Sequence, residues 1–92
     1  YDVALDELEE TIPALSTEES TYDAKELTGY LNQFLNNLSK EDRYLFMRRY
    51  WYGDKIGDIA ENLNVTPHRA SVRLFRLRQK LQELLKKEGM IA

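Results

Sequence analysis

Thr66-Pro67 is the strongest local signal in this chain, because it marks where a helix must begin. A threonine hydroxyl can accept from an orphan amide of the first turn. Proline fits the first helical position, where its missing N–H costs nothing. Upstream, Ile59, Ala60, Leu63 and Val65 have the spacing of a short packed helix followed by a turn. Asn64 tolerates the left-handed conformation that a tight turn needs. Downstream, Ala70, Leu74, Leu77, Leu81, Leu84 and Leu85 fall on one stripe when residues are placed about 100° apart. Residues 54–88 thus predict a helix-turn-helix with a long second helix over about 67–88.

The rest of the chain supplies helices for that motif to pack on. A helix is expected from about 23 to 37, with Leu27, Tyr30, Leu31, Phe34, Leu35 and Leu38 on one side. Its start, Asp23-Ala-Lys-Glu26, has the spacing of a capping box. Ser39 caps a further helix over about 40–52, loaded with Tyr44, Leu45, Phe46, Tyr50 and Trp51. Glu41 and Asp42 in its first turn and Arg48 and Arg49 near its end suit the helix dipole. Gly53 stops it, and Asp54 is expected to cap a short helix over about 55–63. Gly89 is a natural end for the last helix. Residues 1–22 look loosely organised, with one short helical turn at most before Pro13 and the polar cluster 16–21. The prediction is an all-α, four-helix domain over 23–92, preceded by an acidic interdomain linker over 1–22 that is partly ordered.

The chain's net charge of −3 conceals a segregation. Residues 1–26 hold nine acids and one base, a balance of −8. Residues 65–88 hold seven bases and two acids, a balance of +5 on one helix. An acidic lead joined to a basic helix fits a nucleic-acid-binding unit better than a uniformly solvated surface.

Only the first turns of a recognition helix usually reach base edges in the major groove. His68, Arg69, Ser71 and Val72 are therefore the candidate base readers. Arg69 can pair with guanine through two parallel hydrogen bonds, and Val72 can pack on a thymine methyl. His68 and Ser71 can donate or accept, although a solvated His68 fits the pattern equally. Arg73, Arg76 and Lys80 lie further along and suit phosphate anchoring, as does the helix start at Thr66. Arg78 lies at the edge of the apolar stripe and is expected to snorkel or to pair with an acid. Phe75 points outward on the wheel and is expected to pack against the end of a neighbouring helix. Trp51 and its neighbouring tyrosines read as core and rim aromatics rather than a base-stacking platform.

Catalysis has no support in the sequence. There is no cysteine, one histidine and no phosphate-binding glycine loop. The pairs Glu9/Glu10 and Glu18/Glu19 lie where nothing would tune their acidity. One histidine among scattered carboxylates makes no metal site, and no cofactor is expected. The apolar runs of two to four residues are far shorter than the roughly 20 needed to span a bilayer, and no secretory signal is visible. A cytoplasmic, non-enzymatic protein is expected.

Four segments together resemble region 4 of bacterial sigma-70 family RNA polymerase sigma factors, of the alternative or extracytoplasmic-function type. They are Leu31-Asn-Gln-Phe-Leu-Asn-Asn-Leu-Ser, Asp42-Arg-Tyr-Leu-Phe-Met-Arg-Arg-Tyr-Trp-Tyr, Asp58-Ile-Ala-Glu-Asn-Leu-Asn-Val-Thr and Arg69-Ala-Ser-Val-Arg-Leu-Phe-Arg-Leu-Arg-Gln-Lys-Leu. The resemblance covers about 27–88. It implies binding to the −35 element of double-stranded promoter DNA as part of a polymerase holoenzyme. It also implies docking on the β-flap of the RNA polymerase core through an apolar concave side, and an anti-sigma factor as a further partner. By position, the family's base-reading sites fall on Pro67, His68, Ser71 and Val72, with Arg69, Arg73 and Arg76 near the backbone. Pro67 and Val72 depart from the polar contacts common there, and Asn64 replaces the common turn glycine. The resemblance further implies a fragment that begins in the interdomain linker, and a monomer in isolation. A stand-alone helix-turn-helix regulator and a polymerase or anti-sigma interaction module are the alternatives.

Overall fold

A computed structural model describes residues 3–12 and 24–90. Five helices follow in order: α1 Val3–Thr11, α2 Ala24–Asn36, α3 Lys40–Tyr50, α4 Ile56–Leu63 and α5 Pro67–Lys87. No strand occurs among the described residues. The all-α architecture predicted above is therefore present, with one helix more than expected. That helix is α1, which runs nine residues where a single turn was foreseen. Its apolar residues explain the difference. Ala4 and Ile12 are buried, and Leu8 packs against the core. A segment that looks loosely organised by composition thus becomes helical where a groove receives it. The capping box at Asp23 lies outside the described residues, as do Pro13 and the polar cluster 16–21.

The core is one cluster, drawn from every helix. Leu45, Phe46 and Tyr50 of α3, Ile59 and Ala60 of α4, and Ala70, Leu74, Leu77, Leu81 and Leu85 of α5 are all buried. Phe34 of α2 meets Phe46 edge-on, with ring centroids 5.3 Å apart, and Phe46 meets Tyr50 at 4.7 Å. These contacts tie α2 to α3, while α5 packs on all four other helices. The α5 stripe matches the wheel, except that Leu84 is only half-buried. Trp51 and Tyr52, in contrast, lie outside at 58% and 64% exposure. Trp51 is the cap of α3, still helical with its N–H donating to the Met47 carbonyl at 2.8 Å, so its side chain falls one position round the helix from the inward-facing Tyr50. Arg48 stacks over the Tyr52 ring at 4.2 Å.

Helix ends follow local chemistry with one exception. Ser39 Oγ accepts from the Asp42 N–H at 3.1 Å, and Arg43 Nε donates to the Leu35 carbonyl at 3.0 Å, joining α3 to the end of α2. Gly53 takes a φ of +70°, and Gly89 one of +75°. After Gly89, the Met90 N–H reaches back to the Leu85 carbonyl at 2.8 Å and closes the end of α5. Asp54 is the exception, since it does not cap α4. The cap position is Lys55, with no side-chain bond. The Asp54 carboxylate instead accepts from Arg48 Nε at 2.6 Å, so an ion pair outcompetes the local cap.

Candidate nucleic-acid interface

The turn between α4 and α5 is built from backbone bonds. Asn64 sits at φ +59°, ψ +41° and is the one non-glycine residue with positive φ among the described residues. Its N–H donates to the Glu61 carbonyl at 3.1 Å, and the Val65 N–H donates to the Ala60 carbonyl at 3.0 Å. This paired arrangement satisfies the last carbonyls of α4 and turns the chain sharply. Val65 then packs against the core, and Thr66 begins α5. Thr66 Oγ1 accepts from the Arg69 N–H at 3.1 Å, and Pro67 takes the first helical position. The angle of the recognition helix is therefore set by residues whose roles are local.

The buried stripe of α5 fixes which side chains face outward. His68 and Arg69 are exposed, and Ser71 and Val72 are half-buried at the edge of the same surface. His68, Arg69, Val72, Arg73 and Arg76 line one open hollow of about 510 Å³. Asp42, Arg73, Arg76, Leu77 and Lys80 line a second, of about 260 Å³. Arg73 and Arg76 border both hollows. His68, Arg69 and Val72 of the candidate base readers and Arg73, Arg76 and Lys80 of the candidate phosphate anchors thus lie along one face, whereas Ser71 and Thr66 line neither hollow. At the helix start, Pro67 has no N–H and that of Arg69 is committed to Thr66. His68 is left as the first-turn amide of α5 available to a phosphate.

Arg73 and Phe75 carry features that their sequence expectation did not contain. Arg73 is held by two acids of α3, donating to Glu41 at 3.0 Å and to Asp42 at 2.6 Å. The Asp42 and Glu41 hydrogen bonds raise its guanidinium above its ordinary value, so its charge is permanent. Glu41 and Asp42 read in the sequence only as dipole-compatible acids, and nothing local could reveal a contact across more than 30 residues. Phe75 lies at the surface rather than in the core. It is 50% exposed, because Leu74 and Leu77 fill the inward positions on either side of it. The Arg78 guanidinium lies over its ring at 5.7 Å.

Arg78 pairs with an acid, as expected, and the acid is Glu7 of α1. Glu7 also accepts from Arg49 Nη2 at 2.6 Å and from the Tyr50 hydroxyl at 3.1 Å. Arg78 Nη1 donates to that hydroxyl at 2.8 Å, and Arg49 Nη1 donates to the Asp54 carbonyl at 2.9 Å. Burial pushes the Tyr50 phenol up to about 12, against the lowering effect of Arg78. This node lies on helices α1, α3 and α5, and its members sit apart from the α5 base readers. Among the described residues, no group of histidines and carboxylates could hold a metal ion. No helix among the described residues is long and apolar enough to cross a membrane.

The profile of the family described as sigma-70, region 4, matches residues 28–81, from α2 through most of α5. The chain belongs to the sigma-70 region 4 family. No curated protein and no solved structure gives a match. The region 4 domain is a sigma-factor, DNA-binding helix-turn-helix module of transcription, and its family is one of promoter-recognition domains rather than enzymes. That family also interacts with RNA polymerase.

Proposed function

We propose that this region 4 domain reads the −35 promoter element while tethered to the RNA polymerase core. The basic face on the first turns of α5, behind an N-cap that fixes the helix start, carries this reading. In this arrangement His68, Arg69, Ser71 and Val72 meet base edges, and Thr66, Arg73, Arg76 and Lys80 meet phosphates. Arg73 reaches a phosphate by exchanging its two carboxylate partners for it, which lessens its net gain. Few phosphate contacts and an acidic lead make free binding weak and salt-sensitive. Attachment to polymerase supplies effective concentration instead of intrinsic affinity.

Residues 23–92 form the promoter-reading unit, and residues 1–22 connect it to the rest of a sigma factor. The unit works as a monomer in the cytoplasm, with the polymerase β-flap as its protein partner and an anti-sigma factor as an antagonist. The test is reconstituted transcription from a promoter library randomised at −35, using core polymerase and a sigma factor carrying this domain. An enriched motif that shifts when His68, Ser71 or Val72 is changed establishes the reading. A motif bound by the chain without polymerase supports a stand-alone regulator instead, and no sequence preference in either setting sinks the recognition-helix assignment.

A further inference from the structure

Arg73 differs from its neighbours on the recognition face in already holding anions. Arg69, Arg76 and Lys80 make no ion pair with another described residue, whereas Arg73 makes two. Its Nη1 donates to Glu41 Oε1 at 3.0 Å, and its Nη2 donates to Asp42 Oδ1 at 2.6 Å. A phosphate binds a guanidinium in the same manner, with two oxygens on two parallel N–H groups. Glu41 and Asp42 therefore take on Arg73 the place that a DNA phosphate would take. The two acids are fixed where they stand. Both lie in the first turn of α3, a favourable place for negative charge. The Asp42 N–H is bound to Ser39 Oγ, and Arg43 beside it is bonded to the Leu35 carbonyl at the end of α2. If Arg73 swings out, the carboxylates stay behind. Asp42 is the inner of the two, its side chain 26% exposed against 54% for Glu41. It also lines the smaller hollow beside Arg73, Arg76 and Lys80. A phosphate entering there meets three cations and one fixed carboxylate. At Arg73 itself, one guanidinium and two carboxylates leave a formal charge of −1.

We infer that Glu41 and Asp42 are specificity-determining residues of this domain, acting as a built-in substitute for phosphate. On DNA of arbitrary sequence, binding is electrostatic and register is not fixed. There the acid pair keeps Arg73, which adds nothing to affinity. On a promoter, base contacts by His68, Arg69 and Val72 hold the strand in register, and Arg73 exchanges its carboxylates for a phosphate. The pair thus lowers non-specific binding without removing an anchor from the specific complex. The inference rests on the reading that this face of α5 meets DNA.

The test measures binding of the full 92-residue chain to a fluorescent duplex of mixed sequence over a range of salt concentrations. The double variant Glu41→Gln, Asp42→Asn frees Arg73 while keeping side chains of the same shape. It is expected to bind more tightly and to steepen the log–log salt slope by about 0.9, the mark of one more phosphate neutralised. Its advantage over the native chain should then grow about eightfold for each tenfold fall in salt. Adding Arg73→Ala should take the steeper slope away. In a holoenzyme carrying the double variant, preference for a matched −35 element over a scrambled one should fall severalfold. Hydrogen exchange of α3 and α5 amides reports folding. Asp42→Asn alone, with a smaller change of the same sign, serves if the double variant folds poorly. Weaker binding by a folded variant overturns the inference, since the acids then hold Arg73 ready for DNA. Unchanged binding overturns it too and leaves the pair as a tie between α3 and α5. A gain that survives Arg73→Ala, or an unchanged promoter preference, does the same. Lys80→Ala separates the inference from the reading beneath it. If Lys80→Ala flattens the slope and the acid pair does not alter it, only the inference falls. If neither alters it, the recognition face falls as well.

Discussion

At the scale of single residues, the recognition face separates side chains that can specify sequence from those that can only anchor. Arg69 is exposed on the first turn of α5, where a bidentate contact to guanine is within its chemistry. Arg69→Ala is expected to cost about 1–3 kcal/mol on the preferred site and to relax preference at one base position. Lys80→Ala, about three turns further on, is expected to weaken all sequences alike and to reduce the log–log salt slope by about 0.9. Titrating both variants in a reconstituted holoenzyme against matched and mismatched promoters, at several salt concentrations, separates the two roles. Tyr50 gives a prediction of another kind. Its folded-state value of about 12 lies above the ordinary 10.0, so the stability it lends is complete below pH 10. That contribution is lost as the pH rises through 12. Near-ultraviolet absorbance should show one tyrosine ionising after the others, together with the fall in stability. A Tyr50 that ionises with the rest would contradict its burial beside Glu7.

Among elements, the turn between α4 and α5 does the most with the least. Thr66 satisfies one amide of α5, and Thr66→Ala is expected to cost about 1 kcal/mol in urea unfolding. Asn64 holds a positive φ, so Asn64→Gly should be close to neutral, whereas Asn64→Val should destabilise by more than 1 kcal/mol, roughly. Equal costs for the two Asn64 variants would mean that the turn is not held in the left-handed conformation. These features were legible in the sequence because capping and turn chemistry act over three or four residues. The same locality explains a failure. Asp54 had the right position to cap α4, yet Arg48, six residues before it, claims its carboxylate. A cap and an ion pair compete for the same oxygens, and the spacing of residues does not say which prevails.

For the molecule as a whole, α5 is the element on which the other helices pack, and aromatic contacts join α2 to α3. Phe46 lies at 1% exposure between Phe34 and Tyr50, so Phe46→Ala is expected to cost about 3–5 kcal/mol, enough to unfold much of a domain this small. Calorimetry or urea titration measures this directly, and a loss under 1 kcal/mol would show that the ring is not central. The sequence alone determined the helical class, the start and end of α5, its buried stripe and the basic face opposite. Those properties follow from period, caps and charge, which are carried by neighbours along the chain. Tertiary structure alone decided that α1 is a packed helix, that Arg73 lies between Glu41 and Asp42, and that Arg49 is buried against Glu7. Each of these joins residues more than 30 positions apart. Their partners are chosen by which helix faces meet in space, and no local pattern encodes that choice.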